Sequence, residues 1–317
     1  MMLAKPIHPV QISTASRGAV APANALQRRR PWPTRKELFP YALLVPSLLL
    51  ICLVIAYPLL SAIGYSLSGG SLLKPGGFVG LKNFIDLFAA KDFYNSIEFS
   101  LVFAIGNVLG CYAIGLCLAL IMNLDFPGRG ACRVAFLLPW IVPGIVSIVC
   151  WRWMLADEHA LVNQFLSLLG MDPIYFLSDE RSAVFAVTMV KIWRSFPFML
   201  LSLLAALQSI DRSLYEAAEL DGASRWQGFR YVTMPQIKNL SVVLCMMMTI
   251  WSINDFETPF LLTQGGPAKA TESMILLAYR YTFVRNNMGL GSAVSLVTLL
   301  FLMSLVILIL HRQKERA

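Results

Sequence analysis

Long apolar stretches dominate this chain and alternate with short polar segments. A helix needs about 20 apolar residues to cross about 30 Å of hydrocarbon. The connecting segments are too short to form a sizeable soluble domain, so the pattern predicts a single all-α membrane domain. We predict six transmembrane helices, at 39–64, 98–122, 133–155, 183–207, 239–262 and 288–310.

The ends of the chain are polar. Residues 1–38 are basic and poor in large apolar side chains, which predicts a disordered arm before a six-span domain at 39–311 and a short tail at 312–317. A cleaved signal peptide is the competing interpretation of the N-terminal region. The first apolar run is longer than the 7–15 residues typical of a signal sequence, which favours an uncleaved first span.

Composition supports the membrane assignment, and the distribution of charge orients it. The 317 residues are 57% hydrophobic and only 14% charged, whereas soluble domains contain about 25% charged residues. With both termini placed in the cytoplasm, the cytoplasmic segments hold 16 of the 26 Lys and Arg residues and the external segments hold eight. This is the positive-inside pattern, so the net charge of +8 is interpreted as a topology signal and no nucleic-acid partner is expected.

A polar island at 208–238 separates the fourth and fifth predicted spans. The segments Ser213–Glu216 and Ser224–Gln227 match the capping box that begins a helix, and Gly222 suits the left-handed residue that ends one. We therefore predict two short helices with a bend at Gly222, ending at Pro235.

The same island carries large apolar side chains that are costly to leave in water without a partner surface. We predict a cytoplasmic docking loop for a soluble partner; the alternative is a loop that is merely solvated. The side chains concerned are Leu214, Tyr215, Leu220, Trp226 and Phe229.

No catalytic constellation is visible in the sequence. The three histidines are scattered, and the six cysteines fall in or beside the predicted spans without metal-site spacing, so neither an enzyme nor a metal site is predicted. The phosphate-binding pattern Gly-x-x-x-x-Gly-Lys-Ser/Thr is absent, so the chain itself is expected to bind no cofactor. Any energy that the activity of this protein requires would come from another polypeptide or from an ion gradient.

Polar side chains at membrane depth are expensive and by default indicate function. Lys191, Arg194, Asn254 and Asp255 meet this description. Arg194 and Asp255 fall at similar depth in the fourth and fifth predicted spans, so we consider an ion pair between them, with a structural or a substrate-binding role. Lys191 is expected to extend toward the outer surface.

Three motifs carry a family resemblance. The run Tyr215-Glu-Ala-Ala-Glu-Leu-Asp-Gly222-Ala, with Phe229, Val232 and Pro235 after it, resembles the EAA loop of binding-protein-dependent ABC importer permeases. Leu261–Pro267 with Thr271, and Phe78–Phe84, are similar to the carbohydrate, maltose-type branch of these permeases. The likeness covers roughly residues 39–310.

This resemblance implies a coupling helix that sits in a cleft of a separate ATPase subunit, which would bind the ATP. It also implies a second homologous permease, an ATPase dimer, an external solute-binding protein, a sugar substrate and contact with membrane lipid. The residues it assigns to ATPase coupling are Tyr215, Glu216, Ala217, Ala218, Leu220, Asp221, Gly222 and Pro235.

The resemblance also implies a substrate path through the fourth and fifth spans. Where relatives usually have an uncharged residue after the tryptophan, this chain has Arg194, which admits an anionic or amino substrate. The residues assigned to the path are Trp193, Arg194, Ser195, Phe198, Trp251, Ser252, Asn254 and Asp255.

The function that follows is that of a permease subunit of a carbohydrate ABC importer in the bacterial inner membrane. An ion-coupled secondary carrier, in which Asp255 and Lys191 would carry ions, is the first alternative. A membrane scaffold or insertion factor without a substrate is the second. The polar island distinguishes them, because neither alternative needs a loop that docks an ATPase.

Overall fold

The computed structural model describes residues 35–71 and 73–314. The first helix begins at Arg35, so its first turn falls within the region predicted to be an arm. The rest of that arm, residues 1–34, lies outside the described residues, as do residues 315–317 of the predicted tail.

Across residues 35–71 and 73–314 the fold is all-α, as predicted, apart from one small hairpin. Its strands are β1, Ser68–Gly70, and β2, Pro75–Phe78. In this part of the chain three helical segments have π-type hydrogen bonding, at Cys52–Ala56, Gly228–Thr233 and Arg280–Val284. The α-helices are α1 Arg35–Ile51, α2 Tyr57–Ser66, α3 Lys82–Ala89, α4 Lys91–Asn123, α5 Arg129–Ile141, α6 Gly144–Leu155, α7 Leu161–Leu168, α8 Glu180–Gln208, α9 Arg212–Leu220, α10 Arg225–Gln227, α11 Met234–Ile253, α12 Glu257–Thr263, α13 Met274–Tyr279 and α14 Met288–Lys314.

The described residues form two compact units, one that ends at Ala56 and one that begins at Tyr57. The first unit contains α1 and the π-helical segment that follows it. The second unit contains all the remaining described elements.

Within the described residues, five helices are long and apolar enough to cross a membrane. They are Leu43–Ser66, Lys91–Asn123, Glu180–Gln208, Arg225–Ile253 and Met288–His311. The third predicted span, 133–155, is instead a pair of helices, α5 and α6, that meet at 90°. Pro143 immediately precedes α6, and its missing amide and fixed φ explain why one continuous helix does not form there. Counting this pair as one span gives the predicted total of six.

The fifth span differs from its predicted bounds of 239–262. The helical stretch begins at Arg225 and ends at Ile253, so Asn254 and Asp255 lie in a break before α12. The second short helix predicted in the polar island therefore does not end at Pro235. It continues through the π-helical segment into α11, where Pro235 occupies the first turn, a position that needs no amide donor.

The core of the second unit lies where α4 and α8 pack side by side, with α11 against them. A buried hydrogen bond crosses this core: the Asn107 amide on α4 donates to the Ser252 hydroxyl on α11 at 2.8 Å. Burial of the surrounding apolar side chains fixes the relative positions of the three helices. The largest of them are Met199, Leu200, Leu203, Ile237 and Met248.

The segment 264–273, between α12 and α13, is compact and tightly held. The ammonium group of Lys269 lies 2.6 Å from the Asp92 carboxylate, which also accepts a hydrogen bond from Arg285 at 3.3 Å. Thr271 is fully buried, and its hydroxyl lies 2.6 Å from that of Thr263. Burial raises the pKa of the Glu272 carboxyl, and the neighbouring Arg280 guanidinium, 3.1 Å away, opposes this rise.

Candidate functional site

Helix α9 carries the core of the predicted coupling loop and has no buried residue. Its N-cap is Asp211, whose carboxylate accepts the amide of Ser213 at 2.9 Å. The predicted capping box at Ser213–Glu216 is therefore wrong, because the N-cap lies two residues earlier, at Asp211, and Ser213 is in the first turn of the helix. This hydrogen bond lowers the pKa of the Asp211 carboxyl below its usual value.

The bend after α9 follows the prediction for Gly222. Its φ of +79° is left-handed, which a side chain would resist. The amides of Gly222 and Ala223 bond back to Glu219 and Ala218, as in a Schellman motif. The capping box predicted at Ser224–Gln227 is present, with both of its reciprocal hydrogen bonds.

Much of the apolar surface of this loop faces solvent. Leu220 is 90% exposed and Trp226 is 69% exposed, and Ala217 is exposed on the same short helix as Leu220. Phe229 is only half-buried, and its ring packs against Trp226 at a centroid distance of 5.5 Å. The loop therefore exposes apolar side chains, together with the carboxylates of Glu216 and Glu219, on the protein surface.

One hydrogen bond joins α9 to the start of the fifth span. The hydroxyl of Tyr215 lies 2.9 Å from the hydroxyl of Thr233, which is buried at the end of the π-helical segment. A cavity of about 220 Å³ lies between the two elements, lined by Tyr215 and Ala218 on one side and by Phe229 and Thr233 on the other.

At membrane depth, the charged residues pair differently from the prediction. Asp255 pairs with Lys191 at 2.8 Å and not with Arg194, and the Lys191 side chain is only 13% exposed, so it does not extend outward. The physical reason is the early end of α11, which leaves Asp255 in the break just before α12. There its carboxylate also accepts hydrogen bonds from the amide and the hydroxyl of Thr258, at 3.1 and 2.7 Å.

Arg194 lies one turn along α8 and contacts two residues that the sequence reasoning did not single out. Its guanidinium donates to the hydroxyl of Thr258 at 3.3 Å and lies 3.5 Å from the carboxylate of Glu257. Both ion pairs are thus joined through Thr258. Glu257 had a signal in the sequence, because it is a charged residue inside an apolar stretch of the kind that singled out Asp255.

Two helix breaks lie against these charged residues, which we call the charged cluster: Lys191, Arg194, Asp255 and Glu257. A β-carbon added to Gly144, the first residue of α6, would collide with both Arg194 and Glu257, so the break between α5 and α6 lies directly against the second ion pair. The break between α11 and α12 contributes Asp255 itself. Interrupted helices that bring polar groups together at membrane depth are a recurring way to build a solute site.

The other predicted path residues fall into separate groups. Phe198 and Trp251 lie ring to ring at 4.9 Å, with Trp140 beside Phe198 at 6.3 Å. Trp193 points elsewhere and packs edge-on against Trp151 at 5.6 Å.

The polar members of the predicted path also differ in exposure. Ser252 is fully buried in the hydrogen bond with Asn107 and so serves packing. Asn254 is exposed and bonds the carbonyl of Ile250, while Ser195 is half-buried. The charged residues and the Phe198–Trp251 pair thus lie close to the two interrupted helices. Trp193 and Ser252 instead pack between helices.

Comparison with known proteins identifies the family. The model of the binding-protein-dependent transport system inner membrane component matches residues 111–316. The trehalose/maltose transport system permease of Thermococcus litoralis is 36% identical over 277 residues, which cover 87% of this chain and 94% of the relative. The sulfoquinovosyl glycerol transport system permease of Agrobacterium fabrum is 32% identical over 263 residues, 82% of this chain and 85% of the relative.

A solved structure shows the same fold. A chain of a bacterial ABC transporter involved in the import of the acidic polysaccharide alginate superimposes with a TM-score of 0.78 over 88% of this chain and 96% of its own length, at 24% identity. The family model and the sequence relatives together cover the coupling loop and both interrupted helices. The chain therefore belongs to the family of binding-protein-dependent transport system inner membrane components, as a multi-pass permease subunit of an ABC importer and not an enzyme.

Proposed function

We propose that this permease translocates a sugar or sugar-like solute that an external binding protein delivers. The observation that supports it most is the pairing of an exposed coupling loop with a polar cluster at two helix breaks, in a chain whose relatives include trehalose/maltose and sulfoquinovosyl glycerol permeases. A sugar needs hydrogen-bonding groups beside an aromatic face. Asp255, Glu257 and Arg194 supply the first, and the Phe198–Trp251 pair supplies the second.

In this proposal the permease works with a second permease, two ATPase subunits and the solute-binding protein. Helix α9 enters a cleft of the ATPase through Glu216, Ala217 and Leu220, and the left-handed Gly222 sets the direction of the helix. ATP-driven closure of the ATPase dimer then shifts the spans between inward-facing and outward-facing arrangements. The solute would move past the ion pairs as these spans shift.

The charged cluster gives the path its chemical character. Two cations and two carboxylates face one another where α8 meets the break before α12 and the start of α12. Lys191, Arg194 and Asp255 are largely shielded from solvent, and the Glu257 side chain is 55% exposed. A solute that carries a carboxylate, sulfonate or amino group would compete with one of these internal partners. The path therefore suits a charged sugar derivative as well as a neutral sugar, and uptake competition between the two classes would rank them.

We further propose that both termini and the coupling loop face the cytoplasm, from the bias in Lys and Arg. Reporter fusions after residue 75 and after residue 170 are expected to report the outside, and a fusion at residue 225 the inside. A cytoplasmic signal at residue 170 would contradict this orientation.

An ion-coupled carrier is the second candidate, and the Lys191–Asp255 pair is the observation that favours it, because buried ionisable pairs serve proton and ion relays in carriers. Reconstitution separates the two. Proteoliposomes that contain the permeases, the ATPase and the binding protein should accumulate solute only with ATP, and dissipating proton and sodium gradients should leave uptake unchanged. Uptake that follows an imposed gradient without ATP would reverse the conclusion.

A further inference from the structure

Helix α9 rests mainly on the π-helical segment Gly228–Thr233, which forms its principal packing contact. No side chain of α9 is buried, so apolar burial does little to fix the helix against the spans. A force applied to α9 by a docked partner therefore needs a defined contact if it is to reach the membrane domain.

The contact with the best-defined geometry is the hydrogen bond between Tyr215 and Thr233. The two hydroxyl groups lie 2.9 Å apart, and Thr233 is only 4% exposed, so the bond is shielded from water on the Thr233 side. Tyr215 is half-buried, while its neighbours Leu214 and Glu216 are exposed. Tyr215 and Ala218, which is also half-buried, thus form the inward side of α9, and Tyr215 is the one that carries a hydroxyl group.

The space around this bond is poorly filled. The cavity of about 220 Å³ beside it has Ala218 on the α9 side and Gly228 on the opposite side, both too small to fill it. Leu120, near the end of α4, lines the same cavity. A contact that has free volume on one side and a single directional hydrogen bond across it allows α9 to rotate relative to the segment it contacts. A close-packed interface resists such movement.

The segment that carries Thr233 continues along the chain to the charged cluster. Thr233 ends the π-helical segment, and π-type turns in helices are frequently found at functional sites. Helix α11 follows without a break from Met234 to Ile253, which at 1.5 Å per residue is about 30 Å long. Its far end opens into the break that holds Asp255, the partner of Lys191.

We propose that the Tyr215–Thr233 hydrogen bond is the joint through which α9 moves α11, so that Tyr215 is a positioning residue for coupling and not only part of the docking surface. This inference rests on the proposed function. Movement of α9 is passed through the two hydroxyl groups to Thr233 and along α11 to the Asp255 break, where it changes the geometry of the ion pair.

The experiment compares Tyr215→Phe and Thr233→Val in the complete reconstituted transporter, measuring solute taken up per ATP hydrolysed. Loss of one net hydrogen bond should lower this ratio about three- to tenfold, while the ATPase still co-purifies with the permease. Because the two hydroxyl groups act as one joint, the double variant should be no worse than either single variant. Thr233→Ser, which keeps the hydroxyl, should restore the ratio.

Tyr231→Phe is the matched control. Tyr231 lies in the same π-helical segment and is 72% exposed, so removing its hydroxyl should leave the ratio unchanged. An unchanged ratio in Tyr215→Phe, an additive double variant, or loss of ATPase co-purification in Tyr215→Phe would each overturn the proposal. Such results would leave the importer function intact, because that function fails only if the unmodified complex shows no ATP-driven uptake.

Discussion

The segment 264–273, after α12, and the predicted coupling loop, before α11, are built in opposite ways. The segment 264–273 is fastened from several sides: Asp92 holds Lys269 and Arg285, and Thr271 and Glu272 are buried. The predicted coupling loop, 208–238, contains α9, a helix without a buried residue, and one hydroxyl pair joins that helix to Thr233. The first loop is stabilised within its own chain, whereas the second leaves apolar side chains uncovered.

This difference indicates which of the two loops is suited to bind a partner. Uncovered apolar side chains such as Leu220 and Trp226 are costly in water, and a partner surface would remove that cost. In the proposed coupling role, the loop transmits movement and so cannot be rigidly fixed to the body of the protein, because low local stability is what allows an element to move. The 264–273 segment shows that this protein also contains a loop that ion pairs and buried polar side chains hold rigidly.

The largest effect is expected from Gly222→Val. A side chain at this left-handed position costs roughly 1–2 kcal/mol and misdirects α9, so ATP-driven uptake should fall to background while the protein still inserts. Gly170→Val is the matched control, since Gly170 also has a left-handed φ, of +73°, with open space around its α-carbon. Equal uptake by the two variants would contradict a special role for the bend at Gly222.

A large effect on stability is expected from Lys191→Ala. It leaves the Asp255 carboxylate buried without its cation, which costs about 3–5 kcal/mol when one partner of a buried pair is removed. The thermal midpoint in detergent should drop clearly, and Lys238→Ala, at an exposed lysine on α11, should leave it unchanged.

Asp255→Ala adds a functional readout for the same pair. The variant should show reduced uptake with complex assembly intact. A stable Asp255→Ala protein with normal uptake would exclude Asp255 from the solute path.

A moderate and local effect is expected from Asp92→Asn, which weakens the attachment of both Lys269 and Arg285. Hydrogen exchange in 264–273 should accelerate, while ATPase docking stays unchanged. Asp86→Asn, at an exposed carboxylate on α3, serves as the control. If exchange in 264–273 stays slow in Asp92→Asn, the ion pairs do not hold this loop.

The smallest effect is expected from Asp211→Ala, which removes the N-cap of α9 and should speed exchange at the start of that helix several-fold. Ser213→Ala should change it little, because the Ser213 backbone amide, not its side chain, makes the capping bond. The reverse order would restore the capping box that the sequence suggested.

How far the sequence could predict this structure depends on the range of each interaction. The spans were predictable because apolar length is a local signal, and so was the bend at Gly222. The break near Pro143 was missed because a hydropathy window averages over a single proline. A proline within an apolar run was nevertheless the available signal.

The pairing of charged residues at membrane depth was harder to predict from the sequence. Lys191 and Arg194 are one turn apart on α8, so the partner of Asp255 depends on where α11 ends. That end lies at Ile253, and no strong stop signal such as proline or glycine marks it in the sequence. Tertiary contacts therefore decided the pairing, including the packing of Gly144 against Arg194 and Glu257.

The most direct test of the central claim is co-purification of the ATPase with the Glu216→Lys, Gly222→Val double variant, compared with Gly170→Val. If the loop at 208–238 is the coupling element, the double variant should lose the ATPase and substrate-stimulated ATP hydrolysis, and Gly170→Val should retain both. Full recovery of the ATPase with normal stimulated hydrolysis in the double variant would contradict the account.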